Sequence, residues 1–125
     1  MVLFAIKIFD TMATPPSTIV KVAVENMLLG NNSNVEIKTE DEIKIANFKN
    51  RLDIYGIDSF DVLVTRNAAN AYIIRIESIK YHPNGDIADI FYGYLSIILT
   101  INKGEWVITN VKILKPFSKD IKAHK

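Results

Sequence analysis

Two kinds of hydrophobic periodicity divide the chain. In the first half, apolar residues recur three and four positions apart, which is the spacing of one helical face. Residues 14–30 open with Pro15 and Pro16, which suit a first helical turn, and close with Gly30, which suits the position just past a helix. The apolar face of this predicted helix comprises Val20, Ala23, Val24, Met27 and Leu28.

A second helix is predicted over residues 39–52, after a polar loop. Thr39 and Glu42 have the spacing of a capping box, in which the two side chains satisfy backbone N–H groups at the start of a helix. The acidic cluster of residues 40–42 would also be stabilised by the positive end of the helix dipole. We therefore interpret this cluster as structural and not as a metal or catalytic site.

The second half of the chain is dense in β-branched and aromatic residues. Four strands are predicted, over residues 60–66, 72–81, 88–101 and 105–114. Asn84-Gly85 lies between the second and third strands and is a strong hairpin signal, and Gly104 lies between the third and fourth. The sequence thus predicts an α+β domain, with N-terminal helices packed on a four-stranded antiparallel sheet. Because the third strand is apolar on both faces, we expect a partner or another segment to cover its second face.

Length and composition favour a single domain with a hydrophobic core. The 125 residues include 49% hydrophobic residues, enough for a core, and the formal net charge is +1. A general nucleic-acid binder needs a strong positive footprint, so this class is not favoured. The absence of cysteine excludes disulfides, zinc–thiolate sites and a thiol nucleophile. We expect residues 13–115 to form the domain, 1–12 to be an N-terminal segment of uncertain structure, and 116–125 to be a basic flexible tail.

No catalytic motif emerges from the sequence. His82 lies beside a turn and His124 next to the C-terminus, so both are interpreted as surface histidines. A second interpretation stays open, in which Asp10, Asp58 or Asp61 lines a cavity as a lone general base, although caps and turns explain them more simply. No enzyme activity, cofactor or metal is predicted.

The predicted strand region carries a resemblance to a known family. The first matching residues are Ile74, Ile76, Ser78, Ile79 and Tyr81, followed by Ala88, Ile90, Phe91 and Tyr92. The second group is Asn102, Trp106, Ile108, Thr109 and Lys112. In this pattern residues 60–114 resemble the periplasmic domain of the eighth component of the VirB series, the inner-membrane assembly factors of bacterial type IV secretion and conjugation systems. The family's Asn-Pro-x-Gly turn is altered here, with Lys103 in place of Pro and Gly104-Glu105 in place of x-Gly.

The resemblance implies a fold, a function and a site. The fold would be nuclear-transport-factor-like, a cystatin-like cone of helices on a curved antiparallel sheet. The function would be non-enzymatic: the soluble domain on the periplasmic side of the inner membrane would bind other secretion-channel scaffold proteins, and a second copy weakly. Membrane contact would come only through an anchor upstream of Met1. The implied interface residues are Asn102, Gly104, Glu105 and Trp106.

Two alternative functions remain open from the sequence. The same cone-shaped fold also serves small-ligand binders and enzymes resembling isomerases or cyclases, which need a deep pocket holding a carboxylate. An unrelated binding protein could instead use the sheet as a platform. Trp106 itself has two interpretations, as an anchor of the sheet against the helices or as part of a protein-binding surface.

Overall fold

A computed structural model describes residues 14–121, so the first predicted segment and Asp10 lie outside the described residues. Over this range the chain forms two helices and five strands. They are α1 (Pro16–Leu28), β1 (Glu36–Ile37), α2 (Thr39–Ile54), β2 (Asp61–Arg66), β3 (Ala71–Tyr81), β4 (Ile87–Asn102) and β5 (Glu105–Lys119). The α+β class is confirmed. No helix among the described residues is long and apolar enough to cross a bilayer.

Helix α1 forms as its periodicity predicts. All five residues of its predicted apolar face are buried. Pro15 is the N-cap and Pro16 opens the helix, where the missing N–H of proline costs no hydrogen bond. Gly30 follows the C-terminal end with a φ of 85°, a conformation that glycine adopts without a steric penalty.

Helix α2 begins one residue earlier than a capping box requires. Lys38 is the N-cap and makes no side-chain capping bond, so the predicted capping box of Thr39 and Glu42 is wrong. The physical reason is that β1 leads into the helix with only Lys38 between them, which places Thr39 inside the first turn. The acidic first turn is present as predicted.

The sheet differs from the prediction in strand number and direction. It has five strands in the order β1-β5-β4-β3-β2, and β1 runs parallel to β5, which makes the sheet mixed. The prediction of four antiparallel strands missed β1 because two residues are too short to show a period. The helices cover one face of the sheet. The other face, which we call the open face, carries the side chains of β3 and β4 that alternate with those buried against the helices.

The end of the chain is part of the sheet up to Lys119. The prediction of a flexible tail over 116–125 is therefore wrong for residues 116–119, while residues 122–125 lie outside the described range. Phe117 is fully buried, with its ring 5.9 Å from Phe48 and 6.1 Å from Phe91. Burial of this one aromatic side chain holds the last residues of β5 in the sheet.

Gly93 makes room for this aromatic cluster. A Cβ atom at position 93 would lie 2.7 Å from the Phe48 ring and 2.8 Å from both the Lys115 carbonyl oxygen and the Phe117 amide nitrogen. Two of these three neighbours are backbone atoms, which cannot rotate away as a side chain would. The core therefore requires glycine at this position for close approach of β5 and α2.

Polar side chains of α2 form hydrogen bonds with backbone groups along the outer edge of β5. Asp41, which is buried, accepts a 3.2 Å hydrogen bond from the Val111 N–H, and Lys44 donates a 3.0 Å bond to the Val111 carbonyl. Arg51 donates a 2.7 Å bond to the Phe117 carbonyl. We call these three contacts the helix–edge clasp. They satisfy edge groups that would otherwise be open to another strand.

We predict that Gly93→Ala destabilises the domain by about 2–3 kcal/mol, since the added methyl group overpacks a core with no free space. Urea unfolding followed by circular dichroism measures this loss. Ser96→Ala on the same strand faces away from the helices and should change stability by less than about 0.5 kcal/mol. Equal stability of the Gly93→Ala variant and the wild type would contradict the packing described.

We predict that Asp41→Ala lowers stability by about 2 kcal/mol, because the buried Val111 N–H loses its acceptor. Glu40→Ala removes a carboxylate from the same helical turn at an exposed position, and it serves as the matched control. The two variants are compared by urea unfolding at neutral pH. Losses of equal size would mean that the helix dipole, and not the bond to β5, explains the acidic cluster.

Candidate protein-interaction surfaces

The β4–β5 hairpin ends in a tight two-residue turn. Asn102 pairs with Glu105, and the two central residues, Lys103 and Gly104, have φ values of 54° and 81°. Positive φ at both central positions is the conformation of a type I′ turn, which matches the twist of the strands that it joins. The turn therefore holds the hairpin tip in a fixed shape. Asn102, Lys103 and Glu105 are all exposed at this tip.

The next residue pair behind the turn is apolar and partly open to solvent. Trp106 pairs with Ile101, on the same side of the sheet as the buried Leu99. Ile101 is 61% exposed, whereas Leu99 is 1% exposed, so the helices stop covering the sheet between these two residues. Trp106 is half-buried and packs against the edge of the core. Its position fits both interpretations of the tryptophan, one part of the ring serving the fold and the other remaining accessible.

A second cluster lies on the open face and was not anticipated as a site. Arg75 and Glu77 of β3 lie beside Tyr92 and Tyr94 of β4, and Lys115 of β5 completes the row. The Arg75 guanidinium carbon is 4.3 Å from the centre of the Tyr92 ring, and the Lys115 ammonium is 4.1 Å from it. The two cations reach the ring from the strands on either side of β4, and cation–π attraction holds them there.

Arg75 is the most connected member of this cluster. Its Nε donates a 2.7 Å hydrogen bond to Glu77, and its terminal nitrogen donates another of 2.7 Å to the Tyr94 hydroxyl. Burial alone would lower the pKa of Arg75, but the bonds to Glu77 and Tyr94 hold that pKa above its ordinary value. The guanidinium is therefore a permanent charge, neutralised within the cluster by Glu77.

A period-two pattern could have revealed this cluster from the sequence. Arg75 and Glu77 are two positions apart, as are Tyr92 and Tyr94, and the hairpin signal at Asn84-Gly85 joins the two strands. Lys115 could not have been placed, because the strand pairing of β4 with β5 shifts register between Tyr92 and Leu95. A register shift of this kind changes which residues are opposite each other.

Of the carboxylates considered as lone general bases, the two among residues 14–121 are not buried. Asp58 and Asp61 are exposed and border a surface cleft of about 310 Å³, lined by residues 56–61 and 77–81. A second cleft of about 410 Å³ shares the same loop. Ser78 is engaged there through a 2.7 Å hydrogen bond to the Ser59 carbonyl. Both clefts lie at the surface beside the α2–β2 loop.

The other polar candidates do not form a metal site among residues 14–121. No group of three or more His, Asp or Glu side chains in this range could hold a metal ion. His82 is exposed beside the β3–β4 turn, and His124 lies outside the described range. Asp41 is the buried carboxylate of this part of the chain, and the clasp already uses it.

Comparisons of the chain with models of protein families, with curated proteins and with solved structures found no match. The resemblance to secretion assembly factors therefore stays a prediction. So does the interface at Asn102, Gly104, Glu105 and Trp106, whose residues the hairpin brings together at one tip.

We predict that Trp106→Ala lowers the free energy of unfolding by about 2 kcal/mol, roughly half the cost of removing a fully buried tryptophan. Asn102→Ala, at the exposed start of the turn, should cost less than about 0.5 kcal/mol. Thermal and urea unfolding of both variants measure this difference. An unchanged melting temperature in the Trp106→Ala variant would show that the ring plays no part in the fold.

Proposed function

We propose that this chain is a non-enzymatic assembly module that binds other proteins through the tip of the β4–β5 hairpin. The observation that carries this proposal is the rigid turn at Lys103-Gly104, behind which an exposed Ile101 lies beside a half-buried Trp106. Tryptophan is enriched among the residues that dominate protein–protein binding, and a fixed turn loses little entropy when a partner binds.

The proposed setting is a bacterial type IV secretion or conjugation apparatus. The chain would be the periplasmic domain of an inner-membrane protein and would bind scaffold proteins of the secretion channel. The resemblance of residues 60–114 supports this setting, as does the α+β arrangement with helices preceding the sheet. We assign the domain to the nuclear-transport-factor-like class on the same grounds.

A small-ligand function is the second candidate. It is supported by the cleft of about 310 Å³, a volume at the lower end of the range for ligand pockets. In the cone-shaped binders and enzymes that the sequence suggests, however, the ligand would lie between helices and sheet. That space holds the aromatic cluster of Phe48, Phe91 and Phe117. The hairpin tip is therefore the better supported site.

Site-specific photo-crosslinking tests the assembly function. A benzophenone amino acid replaces Lys103 at the hairpin tip, and in a control it replaces Asn84 in the turn of the β3–β4 hairpin. Both variants are expressed in the source bacterium and irradiated. We expect the Lys103 variant to form adducts with envelope proteins of a secretion channel, identified by mass spectrometry, and the Asn84 variant to form none.

Adding Asn102→Ala to the crosslinking variant should reduce adduct yield severalfold without a change in melting temperature. The proposal is overturned if a folded Lys103 variant yields no adduct, if both positions yield the same adducts, or if its adducts contain no secretion component.

A further inference from the structure

The two sides of the sheet differ in how their outer backbone groups are bonded. The helix–edge clasp occupies backbone groups of β5, whereas β2 is the last strand on the opposite side of the sheet. Backbone groups on the outer side of β2 make no hydrogen bond with any other residue of the described range. A strand edge of this kind accepts a further strand.

The pairing of β2 with β3 identifies the backbone groups that point outward. Just past the end of β2, the Asn67 N–H donates a 2.8 Å hydrogen bond to the Ala71 carbonyl of β3. In an antiparallel pair, successive residues alternate between bonding to the partner strand and pointing away from it. Counting back from Asn67, the residues of β2 whose N–H and C=O groups point outward are Val62, Val64 and Arg66.

Helix α1 borders this edge with an apolar side. Val22 and Leu29 are exposed, and with Asn26 they are spaced four and seven positions apart, so the three residues share one side of the helix. Asn26 and Leu29 line the cleft of about 410 Å³ together with residues 58–60, which lead into β2. We call this side of α1, the cleft and the outer edge of β2 the β2 groove.

The end of the β2 groove at the start of β2 is acidic. Glu25 and Asp58 line the cleft, and Asp61 is the first residue of β2. None of these three carboxylates makes an ion pair with another residue among those described. The nearby Lys80 donates a 3.1 Å hydrogen bond to the Tyr55 carbonyl. This end of the groove therefore favours a cationic side chain of a partner.

We propose that the β2 groove binds an extended segment of another protein as an added strand, with a Lys or Arg of that segment beside Glu25 and Asp58. Main-chain hydrogen bonds to the edge of β2 supply affinity. Apolar side chains on one side of the segment pack against Val22 and Leu29, which supplies specificity. This surface is separate from the hairpin tip and involves different strands.

The groove also fixes the length and direction of the segment. The six residues of β2, at about 3.4 Å each, give an edge of about 20 Å, which a segment of about six residues fills. Antiparallel pairing, the more stable arrangement, places the C-terminal end of the segment at the start of β2. The basic residue therefore lies near that end. The segment is internal to its protein, because the acidic residues would repel a free terminal carboxylate.

Peptide selection followed by NMR tests this proposal. The probe is a library of random octapeptides displayed on phage, with the C-terminal end of each peptide joined to the coat protein. We expect enrichment of alternating apolar residues with a Lys or Arg near the C-terminal end. The most enriched peptide is then synthesised with an amidated C-terminus and titrated into the isotope-labelled protein. The amides of Val62, Val64 and Arg66 should gain protection from hydrogen exchange, whereas that of Leu63, which points to β3, should not change.

Two variants separate the backbone and charge contributions to peptide binding. Val64→Pro removes an outward N–H and no bond to β3, a position at which an edge strand tolerates proline, and it should weaken binding at least about tenfold. Asp58→Lys should weaken binding about fivefold at low salt. Glu42→Lys makes the same change of charge at an exposed position of α2, and it should bind the peptide as the wild type does.

Circular dichroism verifies that each variant is folded. If Val64→Pro does not fold, the same measurement uses wild-type protein and a peptide that is N-methylated at alternate residues. This peptide lacks the N–H groups that would donate to β2, so it should also bind at least about tenfold more weakly.

The proposal is overturned if no peptide is enriched, if the folded Val64→Pro variant and the wild type bind equally, or if the NMR changes map to the hairpin tip or the open face. Protection of the Val62 and Val64 amides that rises with protein concentration, without peptide, also overturns it, because the occupant would then be a second copy. Peptide binding at β2 and crosslinking at Lys103 concern different strands, so the two proposals fail or succeed independently.

Discussion

The hydrogen bonds of the helix–edge clasp determine which edge of the sheet is covered and which surfaces of this domain remain exposed to a partner protein. Asp41 and Lys44 together satisfy the N–H and the carbonyl of Val111, and Arg51 satisfies the carbonyl of Phe117. These contacts fix α2 along β5 and bring Phe48 over Gly93, where the aromatic cluster fills the space between helix and sheet. The buried carboxylate of Asp41 therefore has a structural role, because it accepts the hydrogen bond from Val111.

Outside that edge and the face that the helices cover, two surfaces of the described domain are candidates for partner binding. The first is the hairpin tip, where Ile101 and Trp106 extend past the helices on a fixed turn. The second is the β2 groove, where Val22 and Leu29 lie beside an acidic cleft and the outer edge of β2. Both surfaces combine apolar or aromatic side chains with charged neighbours, which is the usual composition of a protein-binding surface.

Local patterns predicted much of the fold but little of its tertiary detail. The apolar face of α1 and the positions of the four long strands follow from period and turn residues, because these signals act over a few neighbouring residues. The bond from Asp41 to Val111 spans 70 positions, and no local pattern contains it. Phe117 was assigned to a tail because its neighbours in the sequence are polar, and a single aromatic residue among them does not produce a recognisable hydrophobic pattern. For the candidate site, sequence placed Trp106 near the turn, but its half-buried state depends on where the helices end.

Amide hydrogen exchange of Val111, followed by NMR, tests the role of the clasp most directly. If the clasp closes this edge, the Val111 amide exchanges only when the whole domain unfolds, with a protection that corresponds to the global free energy of unfolding. Exchange of the Val111 amide at the rate of an unstructured chain would contradict the account. In that case β5 would be an open edge, and the clasp would not explain the placement of α2, the packing of the core or the position of the exposed surfaces.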